Sequence, residues 1–242
     1  MNCDGERKPC AGAVTDDGPG SPAPAAAKRL YRANVYLHYA LDLWFEKAIK
    51  PKLRGEAYYV RYADDFLILF QYENEARAVH KALMGRLAKF SLELAEDKTR
   101  ILPIGRYKGT KDDFDFLGFT FYNTRTRAGK YRLGIRTSKK KLKAKRQAMK
   151  AWLRTRLTEP VDLTMRRLAA ALRGHNSYYG VNGNLEAIQK FYYYAETMLY
   201  KMLNRRSQRK SMGYDKFRRI WHYYIKPPKI MKNIWNGTPR NA

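Results

Sequence analysis

Cysteine is nearly absent from this chain, and its scarcity removes two classes of protein from consideration. The 242 residues hold 2 cysteines, Cys3 and Cys10, in a leader rich in Gly, Pro and Ala. A disulfide framework or a zinc ribbon needs more cysteines, and at suitable spacing. There is also no apolar run long enough to span a membrane and no pattern typical of a secretory signal. A reduced, cytoplasmic setting is therefore the default expectation.

Acidic residues are scarce too, but only in the second half of the chain. From Thr124 onward there are 5 Asp and Glu against 30 Lys and Arg, whereas residues 1–123 hold 17 against 19. Nearly all of the formal net charge of +27 therefore lies in the second half. Because each Lys or Arg set against a phosphate releases a condensed counterion, such a surface should bind RNA or DNA and lose affinity as salt rises. An anionic membrane would attract the same charge, but no lipidation motif accompanies it.

The first half of the chain shows a mixed α/β pattern. Residues 1 to about 30 have neither helical nor strand periodicity and are expected to be disordered. The apolar spacing then predicts a helix from Ala33 to Lys50, ended by Pro51. The elements predicted after it are a hairpin over 57–70, a helix over 73–90, a strand over 91–102 with a turn at Glu96 and Asp97, and a strand pair over 114–122 interrupted at Gly118.

Beyond Tyr122 the pattern becomes helical. Ser138 is expected to cap the first of these helices, which carries bases on its exposed side. Gly174 is expected to end the second, because glycine is common just after a helix. The four predicted helices cover residues 139–157, 162–173, 185–205 and 214–224.

Two adjacent carboxylates, Asp64 and Asp65, fall at the turn of the predicted hairpin AYYVRYADDFLILF. Carboxylate oxygens suit a hard cation such as Mg²⁺, and the flanking strands would fix where they point. A two-metal site for phosphoryl transfer holds its ions roughly 3.5–4 Å apart and usually needs a further carboxylate from another strand. Alternatively, the two residues simply form a polar turn, in which Asp is common.

Consecutive segments of the chain resemble, in order, the later motifs of group II intron reverse transcriptases. ANVYLHYALDLWFEK, the YADD hairpin, LELAEDKTRIL and FDFLGFTFY carry this resemblance. LRGHNSYYGVNGN and LNRRSQRKSMGYDKF follow, and they resemble the maturase region of that family, called domain X. The resemblance implies an α+β fold: an incomplete reverse-transcriptase palm followed by a helical thumb and a helical maturase domain.

The same resemblance implies a domain organisation. It comprises a disordered or out-of-frame leader (1–32), a partial palm (33–123), a basic thumb helix region (124–158), domain X (159–232) and a tail (233–242). The fingers and the first palm strand, which carries the remaining catalytic aspartate in this family, are not found ahead of Ala33. We therefore expect no polymerase activity from this chain alone, unless a separately encoded N-terminal fragment complements it.

Residue by residue, the resemblance makes Asp64 and Asp65 the catalytic, metal-binding aspartates of the palm, with Mg²⁺ as cofactor. Lys98 would neutralise or protonate the leaving pyrophosphate, or it is a solvated turn lysine. Tyr62 would pack beside the incoming nucleotide or the template. The region that supports the primer end, or equally an aromatic core strand, comprises Phe116, Leu117, Gly118 and Phe119.

Two basic clusters are the candidate RNA-binding residues. The first, in the predicted thumb, comprises Arg136, Lys139, Lys140, Lys141, Lys143, Lys145 and Arg146. The second, in domain X, comprises Arg205, Arg206, Arg209 and Lys210, and further candidates are Arg173, Tyr178 and Tyr179. Tyrosines such as these and Tyr192, Tyr193 and Tyr194 can stack on unpaired bases, but at helical spacing at least half of them should be core. His175 and His222 are expected to pack or to contact RNA rather than to bind a metal.

The implied function of the parent protein is RNA-directed DNA synthesis coupled to splicing and mobility of a group II intron. Its partners would be intron RNA, an RNA template and a DNA primer. Two alternatives stay open. One is an RNA-binding splicing factor without polymerase activity. The other is a degenerate gene product whose uncovered apolar edges make it poorly soluble.

Overall fold

The structure is a computed structural model that describes residues 24–95, 97–105, 112–206 and 211–234, with side chains described from Tyr31 onward. The chain divides into two compact units, which meet in sequence between Ile101 and Leu102. We call them unit 1 and unit 2. Residues 1–23 of the expected leader and the end of the tail lie outside the described residues.

Unit 1 begins with a long helical segment. An α-helix, α1 (Pro24–Leu37), continues into π-helical turns over His38–Asp42 and Phe45–Ile49 and a 3₁₀ turn over Lys50–Lys52. The predicted bounds, Ala33 to Lys50, were therefore too narrow at both ends. Pro51 lies inside the 3₁₀ turn because a proline in the first turn of a helical segment gives up no hydrogen bond.

The predicted hairpin and the helix after it are both confirmed. Strands β1 (Ala57–Tyr62) and β2 (Asp65–Phe70) pair antiparallel, and helix α2 (Glu73–Ala88) follows. Phe45 of the helical segment is buried and stacks on Tyr59 of β1, with ring centroids 5.3 Å apart. Alternate residues of β1 therefore face the helical segment, and the others face away from it.

The prediction of a strand over residues 91–102 is wrong. In the described residues of this segment there is no strand, and its backbone hydrogen bonds are local, such as Leu92 N to Leu87 O at 3.0 Å and Thr99 N to Ala95 O at 3.0 Å. Leu92 and Leu94 pack against a buried cluster that includes Leu83. The apolar alternation therefore comes from side-chain packing, without the neighbouring strand that a sheet ladder requires.

Unit 2 opens with a three-stranded antiparallel sheet in the order β3, β4, β5 (Asp113–Phe116, Phe119–Arg125, Tyr131–Thr137). The predicted strand pair is confirmed, but β5 was missed and the expectation of helices directly beyond Tyr122 was wrong. Gly134 in the middle of β5 made the segment a poor strand by sequence. In the structure the ring of Tyr122 lies 2.5 Å from where a Cβ of residue 134 would be, so the sheet needs this glycine.

After the sheet, the described residues of unit 2 form four helices: α3 (Lys139–Arg154), α4 (Val161–Tyr179), α5 (Leu185–Asn204) and α6 (Tyr214–Tyr224). The prediction was right to within a residue for α5 and α6. It was wrong for α4, which continues through Gly174. His175 and Tyr179 extend the buried face of α4 beyond the glycine, so core packing continues the helix to Tyr179.

The core of unit 2 lies between these helices. Trp221 of α6 is fully buried, and its indole N–H donates to the hydroxyl of Tyr192, 2.6 Å away. The buried side chains around Trp221 include Met165, Leu168, Leu172, Phe191, Ala195, Leu199 and Phe217.

Among the described helices, none combines the length and the apolar character that a membrane crossing needs.

Candidate functional site

The aspartate pair lies at the tip of the unit 1 hairpin. Tyr62 pairs with Asp65, which leaves Ala63 and Asp64 as a two-residue loop. Asp64 and Asp65 are both exposed, and so is the Tyr62 side chain. Ala63 has a φ of 52°, a left-handed conformation that a two-residue hairpin loop needs and that glycine adopts more easily. The hairpin therefore presents both carboxylates to solvent beside an exposed tyrosine ring.

Arg61 ties this turn to the helical segment of unit 1. Its Nε and Nη2 donate to the two carboxylate oxygens of Asp42 at 2.7 Å each, and its Nη1 donates to Asn34 Oδ1 and to the carbonyl of Ala63, both at 3.1 Å. Burial raises the pKa of Asp42, but hydrogen bonds from Arg61 and His38 outweigh burial and the net shift is downward. Asp42 is therefore a charged partner that is held by Arg61.

A two-metal centre is not complete in the described residues. Asp64 and Asp65 supply oxygen ligands of the kind that hard divalent cations use. However, no cluster of three or more Asp, Glu, His or Cys side chains that could hold a metal ion occurs in the part of the chain that the structure describes. The residues therefore fit only part of such a centre, and we assign no reaction step to it.

Lys98 lies in the segment after α2 and is exposed. Its backbone N–H donates to the carbonyl of Ala95 at 3.0 Å, which places it in a local turn. This arrangement agrees with a solvated turn lysine, and the role at the leaving pyrophosphate stays a prediction.

The FLGF residues form the first hairpin of unit 2. Phe116 ends β3, Phe119 begins β4, and Leu117 and Gly118 make a two-residue turn with φ values of 50° and 80°. Positive φ at both positions is the mark of the turn that best fits the twist of paired strands. Phe119 stacks on Tyr178, with ring centroids 5.6 Å apart. Phe119 thus has a packing role, and the primer-end role of the four residues stays a prediction.

The exposed residues of the first basic cluster lie at the start of α3. Lys139, Lys140, Lys141 and Lys143 are all exposed, and the first turn of the helix contains no acidic residue. We call these four residues the α3 lysines. Cations at a helix N-terminus oppose the helix dipole at a cost of about 0.3–1 kcal/mol each. The α3 lysines therefore do not favour the isolated helix, and a polyanion in contact with them would offset that cost.

The remaining three bases of the first cluster contact the protein itself. Arg136 pairs with Asp113 at 2.7 Å, and Arg146 lies over the ring of Tyr194, 5.3 Å from its centroid. Lys145 is half-buried, and its Nζ lies 3.3 Å from Nδ1 of His175. Burial lowers the pKa of Lys145. These side chains serve packing as the structure stands, and any RNA contact by them stays a prediction.

His175 packs inside unit 2, one of the two alternatives expected for it. Its ring is buried between Tyr179 and Phe191, with centroids 4.8 Å and 4.2 Å away. Burial, together with the charge of Lys145, lowers the pKa of His175 to about 4. Near neutral pH the imidazole is therefore neutral.

The tyrosine candidates separate into core and surface residues. Tyr179 and Tyr192 are each 4% exposed, so their rings belong to the core. Tyr178 and Tyr193 are exposed, and the hydroxyl of Tyr178 also donates to the carbonyl of Leu117 at 2.8 Å. Base stacking thus stays a prediction for the exposed tyrosines, whereas the structure gives Tyr179 a packing role instead.

The second basic cluster is described in part. Arg205 is exposed, as is Arg173 on α4. The guanidinium of Arg206 donates to the carbonyls of Glu159 and Arg156 at 2.8 Å each, so it stabilises the loop between α3 and α4. Arg209 and Lys210 lie outside the described residues.

Several residues that organise these surfaces were missed by sequence reasoning. Asn184, in the GVNGN segment, is 1% exposed; its Oδ1 accepts from the Thr137 N–H at 2.7 Å and its Nδ2 donates to the Tyr179 carbonyl at 2.8 Å. It thus joins the sheet to α4. The alternation of β1 could have shown that Arg61 faces inward with Tyr59, but Asn184 has no comparable sequence signal.

Comparison with known proteins finds a family match in the first half of the chain, which contains the YADD hairpin. Residues 31–121 match the family model described as reverse transcriptase (RNA-dependent DNA polymerase). The match includes the YADD turn, α2 and the FLGF hairpin, and it covers less than half of the chain. No curated protein matches. Over residues 31–121, this chain is therefore similar to the reverse transcriptases.

Proposed function

We propose that this chain is part of a group II intron reverse transcriptase/maturase and that its unit 2 binds structured intron RNA through the α3 lysines. The observation that carries the proposal is the exposed start of α3, whose first turn contains no acidic residue. Among the described residues, none of the α3 lysines lies in an ion pair. Their charges are thus free to contact phosphates, which supply most of the affinity of proteins for nucleic acids.

The palm has a more limited part in this proposal. Asp64 and Asp65 would contact Mg²⁺ in a complete polymerase, but only together with ligands that other segments or the substrate phosphates supply. RNA binding by unit 2 does not require that centre. The Asp64→Ala, Asp65→Ala double variant should therefore bind RNA as well as the unchanged protein does.

The test is filter binding to a structured group II intron RNA over a salt series. Replacing the α3 lysines together by Gln should lower the slope of log K against log salt by about 3, because each phosphate contact contributes about 0.7–0.9. The matched control replaces four exposed unit 1 lysines, Lys47, Lys52, Lys81 and Lys89, by Gln. Its net charge changes equally, but its slope should stay near that of the unchanged protein.

Two results would contradict the proposal. Equal slopes for the two quadruple variants would show that only net charge matters, and a flat slope for the unchanged protein would show that it does not bind phosphates.

A parallel primer-extension assay with Mg²⁺ on an RNA template examines the palm. Extension that disappears in the aspartate double variant would show that a complete catalytic centre forms.

A further inference from the structure

The residue before α3 does not use its hydroxyl as an N-cap serine usually does. Ser138 stands at the N-cap position but makes no side-chain bond to the helix. Its Oγ instead donates to Asp115 Oδ2 at 2.7 Å, and its N–H donates to the carbonyl of Gly118 at 2.9 Å. Ser138 is 2% exposed. Both hydrogen bonds therefore join the start of α3 to the β3–β4 hairpin.

Asp115 is itself held firmly in the sheet. It pairs across the strands with Thr120, whose hydroxyl donates to the other carboxylate oxygen, Oδ1. Thr120 is 5% exposed, so the hydroxyl that donates to Asp115 is buried. The adjoining turn is fixed as well, because the Tyr178 hydroxyl donates to the carbonyl of Leu117. The acceptor that Ser138 uses is thus a rigid part of the hairpin.

We infer that Asp115 is a positioning residue for RNA binding: through Ser138 it fixes the first turn of α3, and with it the α3 lysines, against the hairpin. This inference rests on the proposed function. A set of lysines held in one arrangement meets phosphates at lower entropic cost than lysines on a frayed first turn. The inference gives a carboxylate a favourable role in binding a polyanion.

Simple electrostatics predicts the opposite role for Asp115. A negative charge bonded to Ser138, the residue next to Lys139, repels phosphates, so its removal should tighten RNA binding. If Asp115 positions the helix, its removal should weaken binding. The direction of the change therefore decides between the two.

The experiment measures RNA binding over a salt series for three single variants. Ser138→Ala removes the hydrogen bond and keeps the charge of Asp115, whereas Asp115→Ala removes both. Asp112→Ala is the matched control, since Asp112 is a nearby acid that takes no part in the bond to Ser138. Thermal unfolding followed by circular dichroism shows whether each variant is folded at the assay temperature. Asp115 is at an exposed strand position, so Asp115→Ala tests the bond even if Ser138→Ala does not fold.

We expect Ser138→Ala and Asp115→Ala each to bind RNA more weakly than the unchanged protein. For every phosphate that the α3 lysines no longer contact, the affinity at 0.15 M salt should fall about 5-fold and the slope of log K against log salt should fall by about 0.7–0.9. A change in stability alone would leave the slope of the folded protein unchanged. Asp112→Ala should bind as tightly as the unchanged protein or slightly more tightly.

Tighter binding by Asp115→Ala, or an unchanged slope in folded Ser138→Ala, would overturn the inference. These results can be told apart from failure of the proposed function. If the unchanged protein has a steep slope that the α3 lysine variant lowers, the proposed function stands and the positioning role alone is refuted. If the unchanged protein has no salt-dependent binding, both fail.

Discussion

The contact between Arg61 and Asp42 should hold the YADD turn in place, and Arg61→Met tests this. The two side chains are 11% and 22% exposed, and two hydrogen bonds of 2.7 Å join them. Arg61→Met removes the bonds to Asp42, Asn34 and the Ala63 carbonyl while it keeps most of the length of the side chain. It leaves a largely buried carboxylate without its charged partner.

The expected cost is about 2–3 kcal/mol. Removing one partner of a fully buried ion pair costs about 3–5 kcal/mol, and a hydrogen bond to a charged group contributes about 1.5–3 kcal/mol. Asp42 is still partly exposed, and water therefore offsets part of this cost. The expected destabilisation is thus smaller than that for a fully buried ion pair. Arg61→Lys keeps the charge but cannot form the two parallel bonds, and it should cost about half as much.

Amide hydrogen exchange of residues 57–70, measured by mass spectrometry, is the assay, because it reports the opening of the hairpin itself. The control is Arg77→Met, which removes an exposed ion pair with Glu73 and should cost at most about 0.5 kcal/mol. If the hairpin amides exchange at the same rate in Arg61→Met and Arg77→Met, Arg61 does not hold the turn and the reasoning is refuted.

Three further predictions concern single residues. Ala63→Gly should stabilise the hairpin by about 1 kcal/mol, because glycine adopts the φ of 52° at this position without strain. The hairpin amides should therefore exchange more slowly, and faster exchange would contradict this. Asn184→Ala should lower the free energy of unfolding by about 3 kcal/mol in a thermal melt, since it leaves buried donors and acceptors around it unpaired; an unchanged melting temperature would show that these hydrogen bonds are unimportant. The unfolded chain binds a proton at His175 near pH 6.5 that the folded chain, with a pKa of about 4, does not bind. Stability should thus fall by about 3 kcal/mol as the pH drops from about 6.5 to about 4, and urea titrations of His175→Gln should lack that part of the pH dependence.

Elements whose hydrophobic period belongs to a single helix or hairpin could be read from the sequence. The YADD hairpin, α2, α5 and α6 are of this kind, because each has its own repeating apolar face or its own turn residues. Elements that depend on a distant partner could not. β5 pairs with β4 around Gly134, and in the part of the chain that the structure describes the segment over 91–102 forms no strand.

The candidate sites divide in the same way. The sequence alone located the adjacent carboxylates at a turn and the bases at the start of a helix, because turn position and charge are local properties. It could not tell which bases are exposed. Lys145 and Lys143 have the same side chain, yet only the packing of α3 on the rest of unit 2 places one beside His175 and leaves the other in solvent.

What the sequence determined by itself is therefore the chemistry that the chain carries: a YADD turn, a basic second half and the order of motifs similar to reverse transcriptases. The tertiary structure alone decided which residues hold that chemistry in place. Arg61 with Asp42, and Asp115 with Ser138, are separated along the chain by 19 and 23 residues. The physical reason is that a hydrogen bond between distant residues depends on the packing that brings them together, and no local pattern of residues specifies that packing.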